Sequence, residues 1–422
     1  MGLSRRGLMK GAGLASVSAA LGVGSRSLLA EPTPNMSSVT TLPVVGQFAV
    51  REHEVCLNNA RWHPMSLGAM RAVQAHMDYK ARGIWTPPDA ASAQQKAVKE
   101  SFARLIHAAS EEIAYVNSTT AGENLIVGGL GLTGDRVPSG ANIVTDALHF
   151  EGSLYLYGEL KKRGVDVRVV KPKGWRVELA DLEKVIDKKT RLVSLSQVSY
   201  INGFEQDVKA VCDLAHAHGA YVYTDIVQAA GCVPVDVRAT NVDFCASASY
   251  KWLQGDFGLG FLYIRRDLIE RMQRTQWSFR QMSSYDYHAF PGDTPGDFPM
   301  TYSQRKDAAG LFEVGTYANG VIAALSYSLP WIEALGVANI QAHSQKLTAR
   351  MKTELPRLGY ASITPAESPS SIVAFEVKDG TATAAKLKRR KVDVSLSPGR
   401  MRISPSIYNT MADVDALLES LA

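Results

Sequence analysis

Cysteine is scarce in this chain: 422 residues contain four, Cys56, Cys212, Cys232 and Cys245. None stands in a CxxC pair, and His216 and His218 lack partners at ligand spacing, so no metal centre is expected. Cys232 and Cys245 sit in apolar runs and read as core residues. The spacing leaves disulfide pairing open. Long uncharged apolar runs are missing beyond the N-terminus, which excludes a bilayer span in the processed chain. A dominant charge sign is missing too: 46 Lys and Arg stand against 41 Asp and Glu, a formal net charge of +5. The one basic run, Lys386 to Lys391, reads as a solvated helix face, so no nucleic-acid partner is expected. There is no internal repeat. Gln276 to Lys306 has little periodicity and is expected to be a long loop near the site or a dimer interface.

What is present begins with Ser4-Arg5-Arg6-Gly7-Leu8-Met9-Lys10, followed by small and apolar residues from Gly11 to Gly24 and a small-residue exit at Leu28-Leu29-Ala30. These are the parts of a secretory signal. The adjacent arginines resemble the twin-arginine signal, which implies the twin-arginine export machinery as a partner and a periplasmic address. Residues 31–50 are rich in Pro, Ser and Thr and read as a linker.

The whole sequence has 46 % hydrophobic content, enough for a sizeable core and for two domains or one large domain with an appendage. Apolar runs at 113–116, 142–145, 166–170, 192–198, 220–223, 242–248 and 259–264 read as seven strands. Helical patterns at 124–130, 153–163 and 208–218 fall between them, after two more at 64–82 and 91–109. Continuous apolar strands alternating with helices predict a mostly parallel seven-stranded sheet covered on both faces. From about Val321 the pattern changes to helices at 322–335 and 340–358 with short strands at 372–376 and 401–404. The expected domains are therefore residues 51–320 and a smaller α+β unit, 321–422.

Two positions carry the chemistry. Asp225 falls at the carboxyl end of a buried strand, where parallel sheets bind ligands. A carboxylate there is costly without a cation, and a protonated pyridine nitrogen would serve; a helix N-cap would look the same. In the second, Ser249-Tyr250-Lys251-Trp252 ends an apolar strand, ahead of Gly255, Gly258 and Gly260. Desolvation would lower the pKa of Lys251, as a Schiff-base lysine requires, unless the side chain simply lies on the surface.

Together, Asp225-x-x-Gln228 and the Ser-Tyr-Lys-Trp segment resemble the pyridoxal-5′-phosphate (PLP) enzymes of fold type I, aminotransferase class V. That group includes cysteine desulfurases, kynureninases and isopenicillin N epimerase-like proteins. The resemblance runs from about residue 50 to the end and implies PLP as cofactor. It implies that Lys251 forms the Schiff base, Asp225 pairs with the pyridine nitrogen and Gln228 meets the ring 3′-oxygen. Thr119 and Thr120, in Asn117-Ser118-Thr119-Thr120-Ala121-Gly122, match the phosphate loop at a helix start. Ser249 and Tyr250 join the cofactor set, Tyr250 as in kynureninase. Phe150 matches the residue stacked on the ring, with His149 as the alternative. Thr316, in Phe312-Glu313-Val314-Gly315-Thr316, matches the residue that reaches a neighbouring subunit's phosphate and implies a homodimer. Arg402, in Met401-Arg402-Ile403-Ser404, matches the grip on a substrate carboxylate. Asn59 and His63, with Trp62, are candidate substrate contacts.

One departure bears on the reaction. Cysteine desulfurases carry a persulfide-forming Cys shortly before Arg-x-Ser, and here Val392 to Arg400 holds none. The expected activity is a transformation at the α-carbon or amino group of an amino-acid or aminoacyl substrate, foremost transamination. Exported relatives tailor pyoverdine-type peptide siderophores, which makes a glutamyl group on a secreted peptide the specific expectation. A C–S lyase or epimerase of the isopenicillin N epimerase type is the alternative enzyme, and a PLP-binding protein without turnover the alternative of another class.

Overall fold

Seven apolar runs form one sheet, and their lack of polar alternation follows from burial on both faces. The computed structural model describes residues 41–82, 88–133, 137 and 139–422. The twin-arginine segment, its cleavage point and residues 31–40 lie outside the described residues. In chain order the strands are β1 (Val55–Cys56), β2 (Ile113–Val116), β3 (Asn142–Asp146), β4 (Asp166–Val170), β5 (Thr190–Ser196), β6 (Tyr221–Asp225) and β7 (Phe244–Ala248). They continue as β8 (Gly260–Ile264), β9 (Met282–Tyr287), β10 (Met300–Gln304), β11 (Val373–Glu376), β12 (Val392–Asp393), β13 (Ser395–Ser397) and β14 (Arg400–Ile403). The large sheet has the order β2-β8-β7-β6-β5-β3-β4, and only β8 runs antiparallel to its neighbours.

Alternate residues of these strands feed two separate cores. Ile113, Tyr115, Val193, Leu195, Phe261 and Tyr263 enter one; Ala114, Val116, Leu192, Leu262 and Ile264 enter the other. The fold class expected from the sequence is therefore the one observed. β6 runs on past the apolar run to Asp225, because its backbone stays in register with β5 as far as Ser196. Helix Thr119–Gly129 starts earlier than Asn124, since the Ser118 side chain caps it by accepting the Ala121 N–H.

Three expectations are corrected. Residues 41–50 are not free linker: Val44 and Phe48 are buried, and the Phe48 ring lies 4.5 Å from that of Tyr408. The domain boundary at 320/321 also shifts. Helix Asn319–Leu335 is apolar because it is buried, with Ile322, Leu325, Leu329 and Ile332 in the large core. The small domain's own core is built from helices Val337–Arg357 and Met411–Leu421, from Phe375, Met401 and Ile403, and from Leu57 near the start of the chain. β1 pairs with β12 there, so the N-terminal segment belongs to both units. Finally, 276–306 is not a structureless loop. β9 and β10 pair antiparallel within it. Their side chains are mostly exposed, so no burial alternation marked the strands in the sequence. Among the described residues no single helix is long and apolar enough to cross a membrane.

Candidate active site

The site lies at the carboxyl ends of β5, β6 and β7. Asp225 is 3 % exposed, and its Oδ1 accepts the Val227 N–H at 2.8 Å. Burial pushes its carboxyl above the ordinary range, against the pull of His149, the Val227 amide and Lys251. It is a costly carboxylate that a cation would stabilise.

Lys251 is 8 % exposed and stands across from it. Burial lowers its ammonium to about 8; Arg402 acts the same way, while Asp225 and Glu151 oppose. Its loop is fixed locally. Leu259 O and Ser249 O accept the N–H groups of Ser249 and Gly255 at 3.0 and 2.9 Å, and Ser249 Oγ donates to Asp256 O at 2.6 Å. That hydroxyl therefore closes the turn, and its one proton is spent there. Tyr250 stacks on Phe257 with centroids 4.4 Å apart, and Lys251 Nζ lies 5.7 Å from the centre of the Tyr250 ring.

Thr119 Oγ1 accepts the Ala248 N–H at 2.9 Å, so the start of helix Thr119–Gly129 is tied to the strand that delivers Lys251. Thr119 and Thr120 are half-buried in the first turn, where backbone N–H groups point outward as an anion site. Gln228 is buried. It donates through Nε2 to Ala60 O at 3.0 Å and accepts the Trp252 indole at 2.9 Å, which leaves one amide proton free.

The structure separates His149 from Phe150. His149 is fully buried: Nδ1 lies 2.8 Å from Ser196 Oγ, and Nε2 lies 3.2 Å from both Glu123 Oε1 and Ser194 Oγ. Glu123 also accepts the hydroxyls of Tyr157 and Ser153. Phe150 caps the next helix half-buried and meets the Tyr200 ring edge-on at 5.5 Å. His149 is thus buried with both nitrogens engaged, whereas Phe150 keeps partial exposure. Glu123 carried no sequence signal, since a Glu in an apolar helix reads as solvent-facing.

Arg402 arrives from the small domain, with Nη1 donating to Tyr200 O at 2.9 Å. Its Nε is buried without a partner, and burial and then Arg400 push its guanidinium down to about 10. The 199–204 loop is the dock. Asn202 Nδ2 donates to Ile363 O at 3.0 Å, and Gly203, at φ 73°, passes so close that a Cβ there would lie 2.0 Å from Ile372 O.

Two candidate substrate contacts are corrected. Asn59 Nδ2 donates to Ser404 O at 2.8 Å, and its Oδ1 accepts the Tyr408 hydroxyl at 2.6 Å. His63 places Nε2 2.6 Å from Ser406 Oγ and Nδ1 2.8 Å from Pro64 O, and burial lowers its pKa to about 4. Both hold the N-terminal segment to Ser404–Tyr408, the stretch that directly follows the strand carrying Arg402. Trp62 is 53 % exposed at the surface. Thr316 is exposed too, just beyond Gly315, whose carbonyl accepts Arg280 Nε at 2.7 Å. It is not brought to the site within one chain. All four cysteines are free and buried, and burial raises each thiol, Cys212 to about 12. Among the described residues one trio, Glu54, Cys56 and Asp393, brings ligand atoms within 4.8 Å of one another, on the β1–β12 pair of the small domain.

The residues fit PLP on their own chemistry: a buried carboxylate short of a cation, a buried lysine with a lowered pKa, an open helix start and an arginine with an unpartnered buried Nε. The comparisons agree. At 30 % identity over 72 % of each chain, this sequence matches a "probable cysteine desulfurase" of Methanothermobacter thermautotrophicus. The apo cysteine desulfurase of Thermococcus onnurineus superposes with a TM-score of 0.78 at 22 % identity, over 90 % of this chain and 97 % of that one. A cystine C–S lyase in complex with cysteine persulfide gives a TM-score of 0.78 at 19 % identity, over 89 % and 99 %. At those identities the two structures establish the shared fold alone. The aminotransferase class-V model matches residues 69–417, and the chain belongs to that family of PLP-dependent enzymes.

Proposed function

We propose that this chain is a PLP-dependent lyase that breaks a carbon–sulfur bond of an amino-acid substrate, with Lys251 as the point of cofactor attachment and as the base. What carries this reading is the burial of Lys251 and Asp225 at the ends of adjacent strands, close enough for each charge to act on the other, with the unpartnered buried Nε of Arg402 acting on the same lysine. The names of the relatives support the lyase branch over transamination. No cysteine stands in the 392–400 segment, and the four present are buried, which argues against a relay of sulfur through the protein. The sulfur product then leaves free.

PLP, when bound, supplies the electron sink that makes the Cα proton removable. Lys251 Nζ, neutral above about 8, takes that proton. Asp225 stays ionised beside a cation and keeps a proton on the cofactor's ring nitrogen. Arg402 orients the substrate carboxylate, and Thr119, Thr120 and the first-turn amides take the phosphate. Electrons from the Cα–H bond form a Cα=Cβ bond as the Cβ–S bond breaks, and the sulfur leaves as a thiol or persulfide. Phe150 covers one face of the site.

β-Chloro-L-alanine tests the branch. Steady release of pyruvate and chloride with the visible cofactor band retained supports elimination. Conversion of the band to the pyridoxamine form with L-amino acids, and no pyruvate from the chloro substrate, points to transamination instead. Arg402→Ala is expected to lower kcat/KM at least about 100-fold, carried mostly by KM, because two charge-assisted bonds at about 1.5–3 kcal/mol each are lost. Arg402→Lys recovers only part, since lysine lacks the fork. An unchanged KM would remove Arg402 from substrate binding.

The pH dependence follows from Lys251. In the folded apo protein the amine loses its proton near 8, whereas the unfolded chain keeps it to about 10.5. Between those values the unfolded state binds more protons, so apo stability rises with pH, and that gain is lost as pH falls through 8. Capture of added PLP is expected to be half-maximal near pH 8; a midpoint near 10 would mean that Lys251 is solvated.

We propose further that the enzyme is exported to the periplasm by the twin-arginine route, a reading supported by the Ser4-Arg5-Arg6 to Lys10 segment and the small and apolar residues after it. We also propose a homodimer in which Thr316 completes the partner's phosphate site, a role its exposure supports.

A further inference from the structure

Arg402 is not the only arginine presented by β14. Side chains alternate along a strand, so Arg400 and Arg402 share one face while Met401 and Ile403 enter the small-domain core. Arg400 stands opposite Glu376 on β11 and Ser397 on β13. Yet it makes no ion pair with Glu376 or with any other carboxylate among the described residues, although many surface arginines of this chain do. Instead it lines a cleft of about 520 Å³ with Trp175, Ile201, Ile363, Val377 and Lys378. Glu376 is the one acidic residue of that lining, against Arg400 and Lys378.

This cleft adjoins Arg402 along β14, two residues away, and through the loop of the lining residue Ile201. Tyr200, next to the lining residue Ile201, accepts Arg402 Nη1 through its carbonyl at 2.9 Å, and the charges of Arg400, Arg402 and Glu151 all bear on its hydroxyl. Trp175 forms the outer wall. It sits at φ 67° after Gly174 at φ 56°, in a tight turn closed by the Lys173–Arg176 bridge, with its carbonyl held by Asn202 Nδ2 at 2.7 Å. Such turns favour Gly or Asn, and a bulky residue there is uncommon. A tryptophan kept in that backbone and 45 % exposed is placed for what it touches rather than for the turn.

We propose that Arg400 heads a second anion subsite, so that the preferred substrate is an amino acid bearing a further carboxylate beyond its reacting side-chain sulfur. The inference rests on Arg402 taking the α-carboxylate. Two guanidiniums on one strand face repel each other, and a dianionic ligand spanning both relieves that repulsion. Trp175, Ile201 and Val377 then cover the linking carbons.

The test compares two near-isosteric ligands on the PLP-loaded enzyme, S-carboxymethyl-L-cysteine and S-carbamoylmethyl-L-cysteine, by the dissociation constant read from the change in the visible cofactor band. The wild type is expected to bind the carboxylate at least about tenfold more tightly than the amide, the effect of one charge-assisted hydrogen bond. Arg400→Gln brings that ratio to near one, chiefly by weakening carboxylate binding, while Arg400→Lys keeps part of it. A wild-type ratio near one overturns the subsite, as does an unaltered ratio in Arg400→Gln. Should Arg400→Gln fail to fold or to hold cofactor, the wild-type ratio decides alone. Failure of the underlying reading looks different: no visible band forms, or neither ligand perturbs it.

Discussion

Lys251→Ala abolishes the visible band of the PLP-loaded protein and lowers turnover by at least about 10²–10⁴-fold, the range for loss of a general base alone. The loss of covalent attachment adds to that figure. The variant should still fold, because Lys251 forms no ion pair among the described residues and its neighbours are held by the backbone bonds of the Ser249–Gly255 turn. Removing a buried ammonium relieves a desolvation cost, so the apo variant should melt no lower than the wild type at neutral pH. Thermal melting and absorption together separate this outcome from misfolding. A variant that keeps both band and turnover would take Lys251 out of the chemistry.

Asp225→Asn should have the second largest effect, a fall of about 10²–10³-fold in kcat, as for other losses of preorganised charge at a reacting centre. Burial raises the Asp225 carboxyl, so the folded apo protein holds that proton to higher pH than the unfolded chain does. Above the ordinary carboxylate range the ionised group costs stability, and a neutral amide removes the cost. Apo Asp225→Asn should therefore melt higher than apo wild type at neutral pH and gain less on binding PLP. A variant less stable than wild type in the apo form, with full activity, would make Asp225 a simple turn residue. Its Oδ1 contact with the Val227 N–H gives that possibility a physical basis.

Much of this site was legible because strand ends are legible. A run of apolar residues that stops at Asp225 or before Lys251 marks the carboxyl edge of a sheet, and the edge is where the chemistry sits. The helix start at Asn117 to Gly122 was legible as a place where a phosphate loop and an N-cap look alike, and the Ser118 cap on Ala121 came only with the fold. What escaped depends on long-range packing. Asn59 and His63 look like free polar side chains, and only the fold shows them bonded to Ser404, Tyr408 and Ser406 near the other end of the chain. Glu123 hides in an apolar helix because its partners come from β5 and helix Glu151–Lys162. Helix Asn319–Leu335 was assigned to the wrong unit since composition reports burial but not which core does the burying. The β9–β10 hairpin escaped for the opposite reason: neither face is buried, so no alternation was written into it. Arg400 escaped because the strand read from the sequence began at Met401, and only the observed strand Arg400–Ile403 puts it on the face of Arg402.

The most direct measurement is to load the purified protein with PLP, fix the link by borohydride reduction, digest it and locate the pyridoxyl-lysine by peptide mass. The account predicts a single modified residue, Lys251. A pyridoxyl group on another lysine, or none at all from a protein that folds and has been given cofactor, would contradict it.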